Sequence, residues 1–437
     1  MLETLRNAWK VKELRNKILF TIFVIIVFRV GSIIPVPYID VEALKSAAAD
    51  TTASNQFFSY LSILTGGGLE YGAIFAMSVT PYINSSIIIQ LLCVAIPIFE
   101  RWQKEGEEGQ KKLAQVTRYT TVILALIQGI AFFIYLKNGG GNAQIGSYLS
   151  VSGTAATWFA GFVIVLAFTA GSALVMWLGE QIDGKGIGNG ISILLFAGIL
   201  SRGPQAFRAL WGYFFELKEY VAVIGIIVVF LLIIAFVVWM TAAERRIPVQ
   251  YAKRVVGNKM YGGQNTHIPI KVNMSGVMPI IFASSILMVP TMILGFMKVT
   301  NPPSTFYKLL SLFSVQGVFY AVIYFILIIG FAYFYATIQF NPVEMANNLR
   351  KNGGAVPGIR PGKPTSDFIS KILSRITLMG AIFLSVIAIL PIIIGNVGQI
   401  NISLGGTSLL IMVGVALDIV RSLESQMMMR HYKGFLD

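Results

Sequence analysis

Cysteine and histidine are almost missing from this chain. Its 437 residues include one cysteine, Cys93, and two histidines, His267 and His431. A single thiol excludes an internal disulfide, and so few soft ligands all but exclude a Cys/His metal centre or a histidine-based triad. Charge is scarce as well, at 12% of residues. No Asp or Glu falls at the middle of any long apolar run, which argues against proton or sodium coupling. Paired carboxylates, a nucleophile beside a base and an HExxH pattern are all lacking, so nothing points to an enzyme. One nucleotide-like stretch fails on inspection. Gly179 to Lys185 matches the start of a phosphate-binding loop, but Gly186 stands where its Ser or Thr belongs, and an apolar helix precedes it instead of a strand. No cofactor is expected.

What the chain has is apolar length. Hydrophobic residues make up 55% of it, in runs that recur from end to end. That balance predicts an all-α polytopic membrane protein. Ten spans fit: about 18–34, 72–98, 117–136, 154–178, 187–200, 220–243, 272–296, 318–338, 372–394 and 407–420. The fifth and tenth fall short of the roughly 20 residues that a crossing needs. They are expected either to be shielded by neighbours or to extend past their apolar parts. Arg6, Lys10, Lys12, Arg15 and Lys17 before the first run resemble a signal peptide. No small-residue cleavage site follows, so a retained first span is expected.

The net charge of +14 is distributed unevenly. Of the Lys and Arg other than Arg29, 26 fall on the side of the N-terminus and seven on the other. That asymmetry predicts both termini in the cytosol. Arg29, inside the first span near its external end, is expected to snorkel to that interface. Ten spans divide into five and five, residues 1–200 and 201–437, and an odd number per part allows an inverted repeat. The second and seventh spans then correspond, and both are interrupted: one by glycines, the other by Pro279 and Pro290.

The organising stretch is Gln56–Gln90. A short apolar piece, Phe57–Leu64, is followed by Gly66, Gly67 and Gly68, and then by a full apolar run studded with Pro81, Tyr82, Asn84, Ser85 and Ser86. Irregular backbone at membrane depth survives only against protein or a cavity, so this reads as the moving part of a channel or a transporter. Further polar residues, Gln90, Gln128, Asn273, Ser275, Ser284 and Ser285, read either as ordinary interhelical hydrogen bonds or as a breakable seam. Two basic loops, about 244–271 and 341–371, exceed the length of simple connectors. Their Gly and Pro content suggests exposed hairpins or turns. They serve either to anchor topology or to dock a cytosolic partner.

The stretches SVTPYINSSIIIQLL, MWLGEQIDGKGIGNGISI, QNTHIPIKVNMSGVMPIIFASS, AVPGIRPGK and LGGTSLLI together resemble the SecY family, the central subunit of bacterial preprotein translocases. The resemblance implies two inverted five-helix halves around an hourglass pore in the plasma membrane. It implies a pore ring at Val79, Ile83, Ile191, Leu195, Ile281 and Ile411. The family ring is isoleucine-rich, so Val79 and Leu195 are mild departures. A plug and its hinge would be Phe57, Phe58, Tyr60, Leu61, Leu64, Gly66, Gly67 and Gly68. The second and seventh spans would form a lateral gate with a polar seam at Asn84, Gln90, Gln128 and Asn273. Lys253, Arg254 and Arg360 would dock a ribosome or the SecA ATPase. The other implied partners are SecE- and SecG-like small membrane subunits, unfolded preproteins with their signal sequences, and membrane lipids. An inverted-repeat transporter of a small solute is the competing reading.

Overall fold

The computed structural model describes residues 6, 9–49, 66–137, 148–151, 153–215, 220–251, 254–256, 259–261, 265–274, 276–296, 317–398 and 406–433. Each of the ten apolar segments carries a helix, because a backbone in hydrocarbon must satisfy its own hydrogen bonds. In order they are α1 (Lys12–Gly31), α3 (Thr80–Ala95), α5 (Glu107–Lys137), α6 (Thr154–Lys185), α7 (Gly190–Leu200), α9 (Tyr220–Ala242), α10 (Met278–Phe296), α11 (Val318–Gln339), α13 (Lys363–Gly398) and α14 (Gly406–Lys433). Shorter helices lie between them: α2 (Val41–Ala49), α4 (Pro97–Lys104), α8 (Gly203–Phe215) and α12 (Pro342–Lys351). Among the described residues, five helices are long and apolar enough to cross a membrane, or six if a bent pair counts as one span.

The second segment differs from expectation. Its helix starts at Thr80, not near Gly72, and is 16 residues long. Pro81 opens it, where a missing N–H costs nothing. Residues 72–79 are irregular and bonded elsewhere: Val36 N donates to Gly72 O at 2.9 Å, and Ile74 N to Ile34 O at 3.0 Å. Gly171 of α6 permits this close approach, since a Cβ there would lie 2.0 Å from Ile74 O. At the far end Ile96 is extended, as a residue before proline prefers. Pro97 then starts α4 at 101° to α3. Phe57, Phe58, Tyr60, Leu61 and Leu64 lie outside the described residues.

Both outcomes foreseen for the short spans occur, one each. α7 stays at 11 residues with most of its surface buried, whereas α14 runs 28 residues, well beyond its apolar part. In the seventh segment Pro279 sits in the first turn of α10 and begins that helix; only Pro290 is internal.

The helices associate in two groups. In the first, α3 packs on α5, α5 on α6, and α6 on α1 and α7; in the second, α10 packs on α11, α11 on α13, and α9 on α14. The groups meet where α14 lies on α7 and where α10 touches α3 and α5. Each group has its own apolar core, one around Phe132, Leu136, Ile164 and Phe168, the other around Ile280, Tyr324, Ile328 and Leu384.

The chain is not wholly helical. The first basic loop forms β1 (Glu244–Tyr251), β2 (Arg254–Val256), β3 (Lys259–Tyr261) and β4 (Asn265–Lys271), with β1 and β4 antiparallel from Glu244↔Lys271 to Gln250↔Asn265. The second loop adds β5 (Gly354–Ala355) to the other edge of β1, pairing Tyr251 with Gly354. Ile247, Val249 and Ile270 pack there with Leu349, Val356 and Ile369. The two loops are therefore one folded unit with a core of its own.

Candidate functional site

All six predicted ring residues fall in a single apolar cluster. Val79, Leu195 and Ile411 are buried within it, and Ile83, Ile191 and Ile281 are half-buried against it. The local geometry explains the pairing. Val79 caps α3 and Ile83 is one turn on, its N–H bonded to Val79 O at 3.1 Å. Ile191 and Leu195 stand one turn apart on α7, so each pair shares a helix face. Ile281 lies in the first turn of α10, its N–H bonded to Val277 O at 3.2 Å. Ile411 comes from α14. The cluster thus joins helices of both groups. Ile191 also lies against α6: its Cδ1 would be 2.6 Å from a Cβ at Gly179.

Beside the cluster, on the chain leading into α3, is the turn Gly66–Tyr71. Gly66 and Gly67 have φ of +69° and +87°, which only glycine adopts without strain. Gly66 rests on α7, where its own Cβ would meet Gly198 O at 2.6 Å. Gly66 O accepts from Ser201 Oγ at 3.1 Å and from Arg29 Nη1 at 3.4 Å. Arg202 forms an ion pair with Glu70. Arg29 thus has a partner in the glycine turn that hydropathy alone did not indicate. The sequence assigned no role to Glu70, Ser201 or Arg202. The available signal was a charge of each sign beside two glycine-containing segments, but nothing in the sequence links positions so far apart.

The four seam candidates are not brought together: no hydrogen bond among the described residues joins Asn84, Gln90, Gln128 and Asn273. Gln90 Nε2 bonds to Ser86 Oγ on its own helix at 3.4 Å. Asn273 precedes α10 instead of lying on it, with its Cα against Gly380 of α13. Gln128 is half-buried on α5, and Asn84 Oδ1 is buried without a partner among the described residues. The polar tie across α3 and α5 is Ser85 Oγ to Thr117 O at 2.8 Å. Of the docking candidates, Arg360 is exposed beside the sheet, Arg254 opens β2 opposite Tyr261, and Lys253 lies outside the described residues.

Fold and site together define a polytopic helical membrane protein whose two helix groups close on an apolar cluster. A family model for SecY matches residues 73–420. The protein translocase subunit SecY of Thermotoga maritima is 42% identical over 439 residues, covering 100% of this chain and 98% of the relative. The chain belongs to the SecY family. Among solved structures, one described as a protein-conducting channel aligns with a TM-score of 0.64 at 17% identity, covering 94% of this chain and 92% of the other. Sec61 from a canine ribosome-channel complex aligns with a TM-score of 0.61 at 17% identity and the same coverage, 94% and 92%.

Proposed function

We propose that this chain is a protein-conducting channel, not an enzyme. It passes unfolded secretory polypeptides across the bacterial plasma membrane and releases hydrophobic segments sideways into lipid. The observation that carries this is the convergence of Val79, Ile83, Ile191, Leu195, Ile281 and Ile411 from four helices on one apolar cluster. Aliphatic side chains at a constriction shed water and so block ions. They also give a passing backbone no hydrogen-bond partner to hold it.

The finer architecture follows the same logic. Ten spans form two inverted halves, residues 1–200 and 201–437, with both termini in the cytosol. The segment about 57–68 is the plug, and Gly66–Gly68 is its hinge. α3 and α10 form the lateral gate, and their contact corresponds to a shut gate. Asn84, whose oxygen is buried and unpaired, is the strongest remaining seam candidate. The energy for transport comes from partners: the SecA ATPase, or a ribosome, docking on the sheet that the two basic loops share. Exposed Arg360 there suits ribosomal phosphates, and Lys253 and Arg254 belong to the same loops. SecE- and SecG-like subunits complete the complex.

The test is reconstitution of the purified chain with its small subunits in vesicles. Export of an unfolded precursor that requires SecA and ATP is the expected result. Uptake of a small solute without precursor transport would overturn the reading in favour of a transporter.

A further inference from the structure

The short helix α8 carries a row of aromatic rings on one face. Phe207, Trp211 and Phe215 stand one turn apart and are 64%, 56% and 53% exposed, so they form an apolar face left largely open. The rings touch in sequence: Phe207 and Trp211 lie 5.9 Å apart between centroids, and Trp211 and Phe215 4.4 Å. Phe215 is then 4.9 Å from Phe214, and Phe214 is 4.9 Å from Tyr220. Tyr220 is the first residue of α9, so the row passes unbroken from one helix to the next. Arg208 flanks the same face, exposed and without an ion pair among the described residues.

The level of this row in the membrane follows from α9. Tyr220 and Trp239, both exposed, are 19 residues apart, about 28 Å along a helix. That matches the roughly 30 Å of a bilayer's hydrocarbon core, whose two edges favour Tyr and Trp. Between them Ile224, Ile227, Leu231 and Leu232 are exposed, a surface suited to lipid tails. Tyr220 thus marks one edge of the hydrocarbon, and the rings stacked on it lie at that edge. With ten spans, α7 ends and α9 begins on the same side, so α8 runs along the membrane surface between them.

We propose that α8 is an interfacial helix seated in the leaflet opposite the termini, with Phe207, Trp211 and Phe215 among the upper acyl chains and Arg208 on a phospholipid phosphate. Its partner is the lipid surface itself. The proposal rests on the ten-span topology given above. A helix of this kind sinks its apolar face about 5–10 Å into the boundary between headgroups and acyl chains. The guanidinium fork of Arg208 matches phosphate geometry, and its stem can lie along the rings. The place matters because α8 joins the last helix of the first group to the first helix of the second. A lipid seat there sets the level at which the two groups are linked.

The experiment uses the full chain with its small subunits in phospholipid vesicles. Cys93 is the single cysteine, so a Cys93→Ala background accepts one spin label at a time through Phe207→Cys, Trp211→Cys, Phe215→Cys, Gln205→Cys or Gly212→Cys. Labels at 207, 211 and 215 should be severalfold more accessible to dissolved oxygen than to a nickel chelate, at a depth of about 5–10 Å. Labels at 205 and 212, away from the row, should show the opposite preference. Arg208→Glu should move the label at 211 toward water, and Arg208→Lys should leave it in place. If Cys93→Ala fails to fold, quenching by brominated lipid carries the test: the quenched share of the fluorescence should fall in Trp211→Phe, and an unchanged share overturns the seat. Nickel access at all five positions would put α8 in water and overturn it. Exclusion of both reagents at 207, 211 and 215 would mean that a small subunit or a second copy covers the row, which overturns it as well. Loss of precursor export by the wild-type complex would instead overturn the channel reading, and would leave the label pattern as it is.

Discussion

Ile411 and Ile328 allow one substitution to be compared in two settings. Both are buried isoleucines, at 4% and 0% exposure. Ile328 sits in the core of the second helix group, among neighbours that move together. Ile411 sits in the cluster that joins the groups, with Val79, Val175 and Leu195 from the first and Val277, Ile281 and Val415 from the second. Replacing either by alanine removes three carbons, worth about 2.4 kcal/mol at roughly 0.8 kcal/mol per buried methylene. The cavity left behind brings the cost to about 2–5 kcal/mol. For Ile328→Ala that loss falls on unfolding alone, because no contact of that core breaks when the two groups part. For Ile411→Ala the contacts across the groups are lost from the closed state only. With about half of the transfer term crossing the boundary, closure weakens by about 1.2 kcal/mol, a severalfold rise in the open population. The assay pairs thermal unfolding with single-channel conductance in planar bilayers. Both variants should unfold at lower temperature, and only Ile411→Ala should leak. Equal conductance in the two, or a greater leak in Ile328→Ala, would refute the argument that this cluster is the seal.

Other expectations separate the remaining parts. Arg360→Glu reverses an exposed charge beside the shared sheet and should impair SecA- or ribosome-driven transport while leaving membrane insertion of the chain intact; normal transport would remove Arg360 from the docking surface. Gly171→Ala forces a methyl to within 2.0 Å of Ile74 O, so the backbone entering α3 must shift, at about 1–3 kcal/mol; an unchanged unfolding temperature would mean that the approach is looser than it looks. Arg118→Gln breaks the 2.7 Å pair with Glu180, but the side chains are 49% and 25% exposed, and such pairs contribute about 0–1 kcal/mol. A large loss of stability there would show that α5 and α6 depend on charge more than on their packing.

What the sequence made legible was whatever hydrophobicity alone determines. A helix at each apolar run follows from the cost of an unsatisfied backbone in lipid, and every one of the ten segments carries one. Where a helix begins is set by local chemistry that hydropathy does not register. Pro81 starts α3 eight residues later than the apolar run suggests, because the intervening backbone finds partners in the end of α1. The polar tail of α14 continues as helix although its apolar part stops near Val420, because Leu423 packs with Leu14 and Ile187. The ring was legible through motif resemblance, and its members converge because alternate positions on α14 serve different cores. Leu410 faces the second group's core, and Ile411, one residue on, faces the shared cluster. The joining of the two basic loops by β5 was not legible, since two residues of pairing leave no pattern of their own.

Charge is where the sequence reading was most incomplete, and where the structure adds most. Counting Lys and Arg by side treats them as interchangeable, which suffices for orientation but hides what the minority do. Of the seven that the ten-span expectation assigns to the side opposite the N-terminus, Lys218, Lys298 and Lys308 lie outside the described residues, and Arg208 faces outward on α8. The other three are engaged: Lys45 over Tyr71, Lys137 4.9 Å from the centroid of the Trp158 ring, and Arg202 with Glu70. Of the others, Arg245, Lys271, Arg350, Lys351, Arg360 and Lys363 point to solvent, whereas Arg118 pairs with Glu180, Lys104 with Glu100, and Arg421 donates to Thr241 O. A cation on the crowded side can serve as diffuse field, tolerant of position. A cation on the sparse side works against the topology signal, so its retention calls for a specific contact. Two of the three engaged ones thus gather at the turn Gly66–Tyr71, on the chain that leads into α3.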